Sequence, residues 1–201
     1  MKPITESFLI INSYLESIPE WKAEIDHVRN ILSIPLNDIN PRFFFEQYAF
    51  VVLCSYWKEQ YARKEWEKYL QSGDFSVISN RRKREAIQNM LPVYNEKFRE
   101  LVVAENKLDY LQTLYMIGEV TRCHLARNIG IDCVKPDRHM TRLALEQGYI
   151  PFPLKPRRVS VLEQWEAATQ MCTDIREDIG GAEKLGTIDV ILWRGCNLGL
   201  I

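Results

Sequence analysis

Apolar residues recur at helical spacing along almost the whole chain, and the breaks fall on proline, glycine and short polar side chains. Phe8, Ile11, Tyr14, Leu15 and Ile18 form the stripe of a helix with one buried face, and Pro19 marks its end or a break. Turn formers Asn37-Asp38-Ile39-Asn40-Pro41 precede a long apolar stretch, Phe43 to Trp57. Asn40 before Pro41 suits an N-cap followed by proline at the first helical position. From Lys58 to Leu70 the pattern turns charged and amphipathic, and Ser72-Gly73-Asp74 closes it.

Ser79-Asn80 and the basic run after it open a further helix to about Met90; Pro92 interrupts, and Tyr94 to Val103 resumes. Leu108, Leu111 and Leu114 carry a helical stripe up to Gly118. Another helix is predicted from about Gly118 to Asn128, with Gly130 as its left-handed cap. Pro136 can start a helix that stops near Gly148, whereas Pro151-Phe152-Pro153-Leu154-Lys155-Pro156 cannot be helical. Ser160 and Glu163 form a capping-box pattern ahead of a long helix ending at Gly180-Gly181, and Thr187 can cap a last apolar helix through Trp193. Strand-like alternation is scarce and no repeat or low-complexity segment stands out. The fold class expected is all-α.

Composition adds little to that picture: 46% hydrophobic and 26% charged residues describe an ordinary globular chain and exclude a largely disordered one. The formal net charge of -1 announces no global positive field for nucleic acid, although a local basic face can be offset by acids elsewhere. Two local clusters exist, Arg81-Arg82-Lys83-Arg84 and Lys155-Pro156-Arg157-Arg158, each either a phosphate-binding patch or a solvated surface. Five widely spaced cysteines with no CxxC suggest neither a disulfide framework nor a metal or iron–sulfur site. No apolar run reaches membrane-spanning length and the N-terminus is unlike a signal peptide, so an intracellular protein without a membrane partner is expected.

The candidate chemistry lies between residues 114 and 143. Leu114-Tyr115-Met116-Ile117-Gly118-Glu119-Val120-Thr121-Arg122 reads as two helices joined by a tight turn at Ile117-Gly118. Glycine permits close approach there, and the next helix opens with unpaired amides suited to a phosphate, as many ordinary helical hairpins also do. Asp137, just after Pro136, falls in the first turn of the next predicted helix, where the dipole favours a carboxylate. It is either a plain capping residue or an anion poised to stabilise a sugar cation or activate water.

Taken together, these stretches resemble the helix-hairpin-helix DNA glycosylase superfamily. Its members carry a hairpin Leu-Pro-Gly-(hydrophobic)-Gly and, further on, a segment like Val-Asp-Thr-His followed by apolar and Arg residues. The matching residues are Leu114 to Arg122, Cys123 to Gly130 as the second hairpin helix, and Pro136-Asp137-Arg138-His139 with Arg142-Leu143. The resemblance implies a two-lobed helical fold with a cleft between the lobes. Lobe A would take about 1–38 plus 136–201, and lobe B about 39–135 with the hairpin at 108–130.

It also implies a monomeric, cytoplasmic (nucleoid) or nuclear enzyme of base excision repair, which flips a damaged or modified base from DNA and hydrolyses its N-glycosidic bond. Asp137 would be catalytic. DNA contacts would come from Ile117, Gly118, Val120, Thr121, Arg122, Lys135, Arg138, Arg81 and Arg82, and the base pocket from Tyr56, Trp57, Gln60 and Tyr61, unless those aromatics are core. A monovalent cation at the hairpin is implied; another metal or an iron–sulfur cluster is not.

Departures from the pattern narrow the reading. Tyr115 and Met116 stand where the hairpin usually has Pro and Gly, and Val120 stands where the bifunctional branch has its Schiff-base lysine. A monofunctional enzyme follows, with Lys135 the amine a lyase would have to use instead. Three alternatives stay open: a non-catalytic DNA-binding protein, a glycosylase acting on hypermodified foreign (phage) DNA, and a helical interaction protein with no nucleic-acid partner.

Overall fold

The computed structural model describes residues 2–57, 59–151 and 159–201. Among these the secondary structure is entirely helical: α1 (Pro3–Glu16), α2 (Pro19–Ser33), α3 (Pro41–Cys54), α4 (Glu59–Ser72), α5 (Arg81–Met90), α6 (Tyr94–Val103), α7 (Lys107–Gln112), α8 (Glu119–Asn128), α9 (Arg138–Glu146), α10 (Val161–Asp178) and α11 (Leu185–Asn197), with 3-10 turns at Leu36–Asp38 and Phe75–Val77. The all-α expectation holds. None of these helices is long and apolar enough to cross a membrane. The chain divides into two compact units, Met1–Ile34 with Gly130–Ile201, and Pro35–Ile129.

The first unit is built around α11. Its run Ile188-Asp189-Val190-Ile191-Leu192 is buried at every position, so α11 is enclosed on most sides, and α1, α2, α9 and α10 pack against it. α1 presents Ile4, Phe8, Ile11 and Leu15, α9 presents Met140, Leu143 and Ala144, and α10 presents Ala168, Met171, Cys172 and Ile175. Each fully buried aliphatic or aromatic side chain contributes roughly 1.5–3 kcal/mol by leaving water. α1 approaches closely because Gly195 has no side chain: a Cβ there would stand 2.8 Å from Ile11 Cδ1 and 3.1 Å from Cγ2.

The second unit repeats the plan around α3, where Phe44, Phe45, Tyr48, Ala49, Val51, Val52 and Leu53 are all buried. α4, α5, α6 and α8 surround it. Its start is as expected, with Pro41 at the first helical position and Asn40 Oδ1 accepting the Arg42 amide at 2.8 Å. Asn80 likewise caps α5, and Ser160 and Glu163 close a full capping box on α10.

Several boundaries differ from the sequence reading. Pro19 begins α2, a helix whose amphipathic pattern is too polar to stand out. The Leu108–Leu114 stripe is helical only through Gln112. Thr187 does not cap α11, because that helix already begins at Leu185 and buries Thr187 in its first turn. The Gly186 amide is instead taken by Asp132 Oδ1 at 2.8 Å, so a carboxylate from another segment replaces the local cap. The cluster Lys155-Pro156-Arg157-Arg158, and all of the expected loop but Pro151, lie outside the described residues.

Gly130 is the glycine this fold tolerates changing least. Its φ is 87°, and a Cβ would lie 2.8 Å from the Ile31 carbonyl oxygen, a backbone atom that cannot swing aside. Gly73 and Gly148 also have positive φ but face open space. Gly130→Ala should therefore lower unfolding free energy by about 2 kcal/mol or more, and Gly73→Ala by about 1 kcal/mol. Urea unfolding of the three proteins checks the order; equal losses would mean the Ile31 contact does not matter.

Candidate functional site

The acidic candidate belongs to the first unit. α9 begins at Arg138, so Asp137 is its N-cap and not a first-turn residue, and Pro136 stands outside the helix. The backbone of Asp137 is extended (φ −84°, ψ 177°), and its Oδ1 accepts the amides of His139 at 2.9 Å and Met140 at 3.2 Å. Capping therefore occupies one oxygen. The other, Oδ2, lies 3.6 Å from Lys135 Nζ, and both side chains are largely shielded.

The segment is pinned from behind. The Asp137 amide bonds the Lys135 carbonyl at 2.8 Å, and the Lys135 amide donates to Oδ2 of Asp189, a buried residue of α11, at 3.3 Å. Arg138 is exposed, with Nε donating to His139 Nε2 at 3.4 Å. Burial lowers the His139 pKa; Asp137 opposes this, while Arg138, Arg142 and Lys135 reinforce it. A carboxylate fixed by two amides through one oxygen, with the second left over, can stabilise adjacent positive charge or orient a water.

The hairpin belongs to the second unit. The Ile117 amide bonds the Leu114 carbonyl at 3.0 Å, closing a four-residue turn whose third residue, Met116, has φ 67°. This is the left-handed conformation that favours glycine, held here by a methionine. The turn is fastened to α3, because the Tyr48 hydroxyl donates to the Tyr115 carbonyl at 2.7 Å; burial keeps that phenol protonated by raising its pKa. Gly118 has ordinary extended backbone and is the N-cap of α8.

With no side chain, Gly118 provides no acceptor for the first-turn amides of α8, and its exposed backbone leaves them open to approach. Thr121 Oγ1 takes the Gly118 amide itself at 2.7 Å. Glu119 places its own charge at that helix end, and Arg122 is tied to Asp109 at 2.8 Å, so both offset what the hairpin can offer an anion. Ile117 is buried, and Val120, half-buried, has no nucleophile. The carbonyls of Leu114, Tyr115 and Gly118 already accept bonds from Ile117, Tyr48 and Arg122. The Leu114 and Tyr115 oxygens therefore each hold one donor and keep a second lone pair, with which they can meet the monovalent cation that the resemblance implies.

The base-pocket candidates also lie in the second unit. Tyr56, Gln60 and Tyr61 are exposed, and Trp57 is half-buried. Tyr56 and Trp57 form the turn after α3, and Gln60 and Tyr61 belong to the first turn of α4. Of the basic run, Arg81 and Arg82 face solvent, Arg81 paired with Glu85 at 2.7 Å, and Arg84 bonds the Ile78 carbonyl. Lys83 points inward and is unavailable to phosphate. Its neighbours on the buried face, Ala86, Ile87 and Met90, are the sequence signal that would have revealed this. Tyr48 was legible too, as a lone hydroxyl in an apolar helix that needs a partner.

No protein-family model matches the chain, and no curated protein is similar to it in sequence. Solved structures share its fold over nearly the whole chain. The Methanocaldococcus jannaschii 8-oxoguanine glycosylase/lyase, in complex with 15mer DNA containing 8-oxoguanine, superposes with a TM-score of 0.70 at 20% identity, covering 95% of this chain and 98% of that one. The 8-oxoguanine DNA glycosylase of the same organism gives 0.67 at 23% identity, covering 95% and 94%. That of Thermotoga maritima gives 0.64 at 17%, covering 92% and 95%. The all-helical fold expected from the sequence is thus one that solved 8-oxoguanine glycosylases share.

The division of Asp137 into a capping and a non-capping oxygen separates stability from chemistry. Asp137→Asn keeps an oxygen for the His139 and Met140 amides and should unfold within about 0.5 kcal/mol of the native chain, whereas Asp137→Ala should lose about 1 kcal/mol. Thermal and urea unfolding check this; equal stability of Asp137→Ala and the native chain would deny the cap its weight.

Proposed function

We propose that this protein is a DNA N-glycosylase that hydrolyses the bond between a flipped base and its sugar. The observation that carries the reading is Asp137 Oδ2, left over by the cap at the start of α9, in a chain with the fold of 8-oxoguanine glycosylases. Positive charge grows on the sugar as the glycosidic bond stretches. Asp137 stabilises it and orients water toward the face opposite the departing base. The amides at the start of α8 take a backbone phosphate, and Arg82, Arg138 and the other exposed basic residues add affinity without reading sequence. Tyr56 and Trp57 supply aromatic surface for a base taken out of the stack.

The hydrolytic course rests on Val120, which leaves the lyase position without an amine. One related structure is that of a glycosylase/lyase, and Lys135 Nζ, 3.6 Å from Asp137, is the group that would favour the bifunctional reading. Borohydride trapping on abasic-site DNA separates the two: the hydrolytic reading expects no adduct, and an adduct lost in Lys135→Ala replaces it with a lyase.

Base release from duplex oligonucleotides tests the reading itself, with 8-oxoguanine first in a panel of oxidised, alkylated, deaminated and hypermodified bases. The native protein should release at least one base, and Asp137→Asn should slow release on the order of 100-fold or more with little change in binding. Equal rates remove Asp137 from the mechanism. DNA binding with no release across the panel leaves a non-catalytic binding protein.

A further inference from the structure

The buried lysine of the basic run has no role in the chemistry above, and its surroundings are unusual for a charge. Lys83 is 3% exposed, and its Nζ donates to the Leu53 carbonyl at 2.7 Å and the Ser55 carbonyl at 2.6 Å. The same ammonium sits 3.8 Å from the centre of the Trp57 ring. These contacts straddle one residue. Tyr56, between Ser55 and Trp57, is fully exposed and has φ 61°, a left-handed conformation that a bulky side chain keeps only when the chain is held on both sides. Ser55 adds a second tether, its hydroxyl donating to the Val52 carbonyl at 2.6 Å.

We propose that Lys83 is a positioning residue for DNA recognition: it grips the turn on both sides of Tyr56 and so presents that ring to a base. The inference rests on the reading of this turn as base-contacting. An ammonium satisfies two carbonyls at the end of α3, as a basic cap does, but it also attracts the face of the indole. A hydrophobic side chain of similar length would fill the space and do neither. Lys83 acts through Tyr56 and Trp57 and not on DNA directly, because its ammonium is turned away from solvent.

The grip depends on charge. Burial lowers the Lys83 pKa from 10.5 to about 8, while Cys54 of α3 and Glu65 of α4, the titratable groups facing it, push the other way. Above pH 8 the amine still donates to the carbonyls but loses its attraction for Trp57. The sign for folding is the opposite. Between pH 8 and 10.5 the unfolded chain holds the proton that the folded chain has released, so this group makes the fold more stable as pH rises. Weaker binding in that window therefore does not come from unfolding through this group.

The test measures fluorescence anisotropy of a duplex oligonucleotide carrying 8-oxoguanine as its 2′-fluoro nucleoside, which resists hydrolysis and keeps the base on its sugar. Lys83→Met and Tyr56→Ala should each weaken binding about tenfold or more, and the double variant should be no weaker than Tyr56→Ala alone. The salt slope should stay at the native value in Lys83→Met and fall by about one in Arg82→Ala, a phosphate-class contact. If Lys83→Met fails to fold, the native protein carries the test. Its binding should weaken through pH 8 without loss of thermal stability, Tyr56→Ala should lack that dependence, and the emission assigned to Trp57 by difference from Trp57→Phe should shift over the same range. Native-like binding by Lys83→Met, a loss additive with Tyr56→Ala, a reduced salt slope, or no Trp57 transition near pH 8 would each overturn the proposal. Absence of any DNA binding by the native protein would instead bring down the glycosylase reading on which it rests.

Discussion

Each candidate functional segment hangs from the enclosed helix of its own unit by a shielded polar bond. In the first unit Asp189 of α11 accepts the Lys135 amide and fixes the approach to Asp137. In the second, Tyr48 of α3 holds the Tyr115 carbonyl of the hairpin, and the last carbonyls of α3 receive Lys83, which fixes the turn at Tyr56. A helix buried on most sides has few places for polar side chains, and Asp189 and Tyr48 find their partners outside their own helices. Those partners are segments that have no regular hydrogen-bond ladder of their own. Loops that would otherwise sample many shapes are thereby tied to the most rigid part of the fold, as preorganised chemistry requires.

The same economy governs Asp137. A carboxylate used only as a cap needs one oxygen, and one used only for catalysis must be held by something else. Here the cap supplies the holding. Bonds from His139 and Met140 to Oδ1 fix the side-chain torsion and thereby place Oδ2, with Lys135 beside it. On the proposed reading, the structural and chemical roles of the residue, which look like rivals in a sequence, are two halves of one arrangement. The hairpin end is less favourable in isolation. Glu119 and the Asp109–Arg122 pair weaken its pull on an anion, so on the proposed reading phosphate is held by amides aimed at one place more than by net charge.

How far the sequence could be read depended on whether a feature was local. The caps at Asn40 and at Ser160 with Glu163 involve residues two or three apart and were legible. So was Gly130, whose left-handed backbone ends a predictable helix. The hairpin and the following Asp were enough to give the fold. What escaped was settled at long range: Asp132 capping α11 in place of Thr187, Asp189 reaching Lys135, and Lys83 turning inward. Lys83 was the instructive case. Its spacing to Ala86, Ile87 and Met90 puts it on the buried face, whereas the sequence reading took it, with its basic neighbours, as a phosphate patch or a solvated surface. Position was the better guide, because a lysine can be buried wherever helix-end carbonyls wait for a donor.

The departures from the family hairpin differ in kind for the same reason. Met116 changes a residue without changing the shape it must adopt: its φ of 67° is the conformation a glycine would take, at a cost of about 1–2 kcal/mol. The Leu114–Ile117 bond and the Tyr48 tether over-determine the turn, so the strain is borne by neighbours. Val120 removes a function, and no packing contact can restore a nucleophile to an isopropyl group. A motif scored position by position would weigh the two substitutions equally. Physically the first leaves the backbone of the turn in place, whereas the second removes the amine; on the proposed reading, water oriented by Asp137 is then the nucleophile.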